Sequence, residues 1–80
     1  MELKEFTDYL VKSIVNNPDK VRVSEFKLED DLIIEVLVSD TDRSVVIGKG
    51  GKMANAIRTL LKASSSLHDH KYISINIESF

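Results

Sequence analysis

Cysteine and tryptophan are absent from this 80-residue chain, and it holds a single proline and only three glycines. Without cysteine there is no disulfide framework and no thiolate to bind zinc or attack a substrate, so cysteine-ligated zinc modules and thiol enzymes are excluded. Long apolar runs are missing too: none approaches the roughly 18 residues a membrane helix needs. The start, Met1-Glu2-Leu3-Lys4-Glu5, is charged, which does not fit a signal peptide. These absences lead to the expectation of a cytoplasmic protein with no membrane span. A chain this short buries only about 60–65% of the surface its unfolded form exposes, which leaves room for one domain, residues 1–80, and no deep catalytic cleft. What is present, 42% hydrophobic and 30% charged residues, is the composition of a folded globular domain. The formal charge of −2 argues, at face value, against a nucleic-acid partner.

That charge is an average over two unlike halves. Residues 1–42 carry five basic against eleven acidic side chains, a net of −6, whereas residues 43–80 carry six basic against two acidic, a net of +4. Between Arg43 and His68 no acidic residue occurs. An asymmetry of this kind suggests one surface suited to an anion and another kept acidic.

Leu3, Phe6, Leu10 and Ile14, widened by Val11 and Val15, have the spacing of an amphipathic helix, which Asn16-Asn17-Pro18 should end. Lys20 to Leu28 alternates, with a change of parity before Phe26 and Leu28 that predicts an edge strand with a bulge. After the turn signal Glu29-Asp30-Asp31, Leu32 to Val38 is apolar on nearly both faces, as a central strand would be. Ser39-Asp40-Thr41-Asp42 offers capping oxygens to a short helix over Arg43–Ile47. Met53, Ile57, Leu60 and Leu61 then mark a longer helix fading through Ser64–Ser66, and Tyr72 to Glu78 alternates as a last strand. The order α-β-β-α-α-β predicts a two-layer α+β fold, a three-stranded mixed sheet with helices on one face.

All three glycines fall in Gly48-Lys49-Gly50-Gly51, between the two later helices. Glycine reaches positive φ at no steric cost and lets a ligand lie against the backbone. The first amides of the following helix lack intrahelical acceptors, and its dipole adds positive potential, which suits phosphate. The phosphate loop of nucleoside triphosphatases does not fit: Val46 takes its first glycine and Met53 its magnesium-binding hydroxyl. The dinucleotide pattern fails as well, because Met53 stands at its third glycine.

Val46-Ile47-Gly48-Lys49-Gly50-Gly51, set between a short and a longer helix, resembles the V-I-G-x-x-G signature of KH domains. The predicted element order is that of the type II form, and Ala56-Ile57-Arg58-Thr59-Leu60-Leu61-Lys62-Ala63 is similar to the second core helix of the small single-KH bacterial proteins called KhpA. The resemblance covers nearly the whole chain. It implies binding of single-stranded RNA, no enzymatic activity and no cofactor, and pairing either as a homodimer or with a larger Jag-like KH protein of the KhpB type. It also implies that the backbone of Gly48, Lys49, Gly50 and Gly51 contacts the sugar-phosphate chain, that Lys49 and Lys52 neutralise phosphates, that bases cross Val46, Ile47 and Ala54, and that Arg43, Asn55 and Arg58 line the edges. Such contacts fit an RNA chaperone or post-transcriptional regulator. Two positions depart from the family pattern: Ser44 stands where glycine is frequent, a modest packing change, and Gly50 replaces a polar or basic loop residue, leaving Lys49 as the one cation inside the loop.

Blander assignments compete for several of these residues. Val46 and Ile47 equally fit a core, and Arg58 and Lys62 a solvated helix face. With five aromatics and no closely spaced pair on one strand, base stacking on the sheet is disfavoured. His68-Asp69-His70 falls short of a closed four-ligand metal set, and Ser64–Ser66 has no oxyanion hole or nucleophile turn to make it catalytic. The alternative to RNA binding is a protein-interaction adaptor pairing with a larger KH protein, which the acidic first half and Gly50 favour.

Overall fold

The amphipathic N-terminal segment forms α1 (Leu3–Ile14) in a computed structural model that describes residues 2–64 and 72–80. Val11 is completely buried, and Leu3, Phe6, Leu10 and Ile14 pack half-buried around the core. Thr7 is buried on the same stripe and keeps its hydroxyl satisfied by donating to the Leu3 carbonyl at 2.7 Å. Proline stops the helix as expected, and Pro18–Lys20 makes one 3-10 turn before the first strand.

Strands β1 (Arg22–Lys27) and β2 (Asp31–Val38) form an antiparallel hairpin paired from Arg22↔Leu37 to Lys27↔Leu32. The expected bulge does not occur. The ladder runs unbroken, so Val23 faces the helices and Phe26 falls on the opposite face, 51% exposed. An unbroken set of ladder hydrogen bonds is kept, and the shift in sequence parity is met by exposing an aromatic ring instead.

β2 is the central strand, with β3 (Tyr72–Ser79) parallel to it on the far side. Leu32, Ile34, Val36 and Val38 all point into the core, and Ile73 and Ile77 join them from β3. The chain passes from β2 to β3 through α2 (Asp40–Ile47) and α3 (Lys52–Ser64), which supply Val46, Ile57 and Leu61 to the same core. The two-layer α+β arrangement and mixed three-stranded sheet therefore match the expected class. Helix α2 starts three residues earlier than the expected Arg43, because Ser39 is its N-cap.

Asp42 explains that early start. It is fully buried, and its carboxylate accepts from the backbone amides of Asn16 (3.0 Å) and Asn17 (2.9 Å), from Asn17 Nδ2 (3.1 Å) and from Ser39 Oγ (3.0 Å). Ser39 thus donates to Asp42 rather than capping the helix with its own oxygen. Asp42 satisfies two backbone amides of the segment that follows α1 and so ties that segment to the start of α2. Burial alone works to raise the Asp42 pKa, but the donors from Asn16, Asn17 and Ser39 together outweigh it and hold the group below its ordinary value.

A depressed folded-state pKa means that Asp42 contributes stability fully above its ordinary value of 3.8 and loses it as pH falls through the lower folded value. Asp42→Asn leaves a buried amide facing donors, so its Tm at neutral pH falls by roughly 10 °C. As pH falls below about 4 the wild type loses Tm more steeply than the variant, as calorimetry in matched buffers will show; parallel curves would remove Asp42 from the acid response.

Candidate nucleic-acid interface

Between α2 and α3 the chain has only Gly48 and a 3-10 turn over Lys49–Gly51 to reverse direction. All three glycines take positive φ: 78° at Gly48, 64° at Gly50 and 81° at Gly51. Their roles differ. A Cβ on Gly48 would lie 2.6 Å from the Met53 amide nitrogen and 2.7 Å from Met53 Cβ, so this position needs glycine for close approach as well as for φ. Gly50 has open space around it, and its φ/ψ of 64°/20° is the left-handed region that Asn and Asp also tolerate.

The Gly48 amide closes α2 by donating to the Ser44 carbonyl at 2.8 Å. The Ser44 side chain itself is exposed and takes no part in core packing, so the expected packing change does not arise there. The Gly51 amide donates to the Gly48 carbonyl at 3.1 Å, and the Lys52 amide to the Lys49 carbonyl. These two bonds take up the Gly51 amide and the first amide of α3. The amides that precede these bonds in the turn are those of Lys49 and Gly50.

Lys49, Gly50, Lys52, Arg43 and Asn55 are exposed, Gly48, Gly51, Ile47 and Arg58 are half-buried, and all belong to the turn or its two flanking helices. Val46 is corrected: it is 0% exposed and supports the site from the core, because its place one helical turn after Asp42 puts both on the inner face of α2. Ile47 and Ala54 pack against the core from its margin and keep partial exposure. Ile75 does the same from β3, the edge strand against which α2 and α3 both pack. Periodicity assigns Ile75 to the core along with Ile73 and Ile77, and only the strand order reveals its position beside the two helices. Asp42 is visible in sequence only as one capping oxygen among several; the signal for its role is a carboxylate three residues after a Ser N-cap.

The ion pairs found among the described residues do not consume the loop's cations. Lys12–Asp8 at 3.0 Å and Lys27–Glu25 at 3.8 Å lie on α1 and β1, and neither includes Arg43, Lys49, Lys52 or Arg58. A groove lined by Lys4, Glu5, Asp8 and Val23 lies between α1 and β1, with mixed charge and no nucleophile–base pair. Among the described residues no cluster of metal-ligating side chains occurs, and His68-Asp69-His70 lies outside them. No helix of the described residues is long and apolar enough to cross a membrane.

A three-stranded mixed sheet, helices on one face and a V-I-G-x-x-G turn between α2 and α3 define a KH domain of the α-β-β-α-α-β type. The family described as the KhpA/KhpB KH domain matches residues 4–77, and the chain belongs to that family. It is 39% identical to the RNA-binding protein KhpA of Clostridium acetobutylicum over 75 residues, 94% of this chain and 99% of that one. To the RNA-binding protein KhpA of Caldanaerobacter subterraneus it is 41% identical over 73 residues, covering 91% and 96%. These relatives are named as RNA-binding proteins, not as enzymes. Among solved structures, the fold is similar to part of Era in complex with MgGDPNP and nucleotides 1506–1542 of 16S ribosomal RNA, with a TM-score of 0.69 and 17% identity. That match covers 98% of this chain and 30% of Era, and it concerns the fold alone.

The different surroundings of the glycines give a direct check by urea denaturation. Gly48→Ala loses more than about 2 kcal/mol, because strain and a backbone collision combine. Gly50→Asn loses less than about 1 kcal/mol. Equal losses would show that the Gly48–Met53 approach does not matter.

Proposed function

We propose that this protein binds short single-stranded RNA, about four nucleotides, with the sugar-phosphate chain laid along the Gly48–Gly51 turn. The observation that carries this reading is the turn itself: three positive-φ glycines in a short turn that leads into α3, beside two lysines outside the ion pairs described above. Lys49 and Lys52 neutralise phosphates, which positions the strand without reading it. Bases lie across Ile47 and Ala54, with Arg43, Asn55 and Arg58 as polar contacts at the margin. Membership of a family whose relatives are named RNA-binding proteins supports the same ligand.

Binding at one short groove is weak and salt-sensitive, since few cations act and the rest of the chain is acidic. We therefore place the protein in the cytoplasm as a dimeric RNA chaperone or post-transcriptional regulator, with a second linked site raising the effective affinity. Met53 and Leu60, 37% and 46% exposed and seven residues apart on one face of α3, support such pairing. They equally favour a second reading, an adaptor that pairs with a Jag-like KH protein of the KhpB type and binds RNA weakly or not at all.

The double variant Lys49→Asp/Gly50→Asp tests both, since the open surroundings of Gly50 accept Asp without loss of fold. By fluorescence anisotropy with single-stranded RNA at about 0.1 M salt, affinity falls at least about tenfold, and the log–log salt slope becomes shallower by roughly one unit. Unchanged affinity would remove the turn as the RNA site. A wild type that binds no RNA while both proteins keep a KH partner would establish the adaptor reading instead.

A further inference from the structure

The sheet face turned away from the helices has a character unlike the rest of the molecule. Register places Phe26 opposite Ile33 on this face, and Tyr72 one strand over beside Asp31. Phe26 and Tyr72 are 51% and 60% exposed, and Leu28, 56% exposed, follows in the β1–β2 turn. Two aromatics that no single strand brings together thus share one surface, about 12 Å apart on a diagonal across β2. Few soluble domains leave large side chains clustered in this way without a partner.

Among the described residues, charge on the face is almost wholly negative. Asp31 and Glu35 on β2 and Glu78 on β3 take the same side of the sheet, and Glu29 and Asp30 flank the apolar end from the turn. The one cation on this side within the strands is Arg22, whose Nη1 donates to the backbone carbonyls of Val21 at 2.9 Å and Asp19 at 3.3 Å. Lys27 has the opposite parity and pairs with Glu25 at 3.8 Å. Aromatic side chains on a sheet would serve base stacking in another setting, but here five carboxylates repel a phosphate chain. A second copy meeting this face with its own would set carboxylates against carboxylates.

We infer that the open sheet face, centred on Phe26, Ile33 and Tyr72, docks a protein segment that carries lysine or arginine between aliphatic side chains. The apolar centre supplies buried contact, and the acidic rim supplies attraction and orientation. Because the glycine turn lies in the helical layer, such a segment and an RNA strand occupy different surfaces of the same molecule.

A short synthetic peptide of alternating lysine and leucine, with a lysine–serine peptide of equal charge as control, tests this on the full chain by amide NMR titration. The lysine–leucine peptide shifts amides of β1, β2 and β3 while those of Lys49–Gly51 stay in place, and it binds at least about fivefold more tightly than the control. Phe26→Ser/Tyr72→Ser and, separately, Glu35→Lys each weaken it about fivefold or more; all three positions lie on the open face, and an unchanged Tm shows the fold is kept. Equal binding of the two peptides, or shifts centred elsewhere, overturns the inference. So does a loss of RNA affinity in the Phe26/Tyr72 variant, which would make the face an RNA surface, or a change in its oligomeric state, which would make it a contact between copies.

Discussion

The carboxylate of Asp42 is the constraint on which the placement of the glycine turn depends. It accepts four hydrogen bonds, three of them from Asn16 and Asn17 just past α1 and one from Ser39 at the head of α2. A buried charge is tolerated only when its lone pairs are filled, and here they are filled by two backbone amides, a side-chain amide and a hydroxyl from the segments flanking α1 and α2. One helical turn on, Val46 sits in the core on the same side of α2. Polar anchor and apolar contact therefore hold the same helix face. With that face fixed, α2 runs its eight residues from Asp40 to Ile47, and the reversal into α3 begins at Gly48.

The uneven charge of the chain acquires a spatial meaning on this framework. The stretch free of acidic residues forms α3, the turn and most of α2, so the positive end of the α3 dipole and the lysines beside it act on the same region. Five of the eleven acidic residues of the first half, Glu25, Glu29, Asp30, Asp31 and Glu35, lie on β1, β2 and the turn between them. A net charge near zero thus conceals an uneven distribution of charge over the fold.

Much of this is legible in the sequence, for reasons that can be named. The stripe of α1, the two-faced apolar run of β2 and the alternation of β3 follow from periods of 3.6 and 2, and the three clustered glycines mark the turn. What escapes depends on contacts between distant segments. Asp42 looks like one capping residue among four because its backbone amide donors lie 25 and 26 positions earlier in the chain. A V-I-G motif does not say which of its two apolar residues faces inward; the register of α2, set by Asp42, turns Val46 to the core and leaves Ile47 at the margin. The parity break before Phe26 reads as a bulge because sequence alone does not weigh an exposed ring against an unbroken ladder. The shared face of Phe26 and Tyr72 is a product of strand order, which no single segment contains.

The most direct measurement for the account as a whole is amide NMR mapping of a single-stranded tetranucleotide RNA on the wild-type chain. The account predicts that the largest shifts fall at Lys49 and Gly50, extend to Lys52 and Asn55, and leave Phe26, Ile33 and Glu35 unmoved. Shifts centred on the open sheet face, with Lys49 and Gly50 silent at saturating RNA, would contradict it.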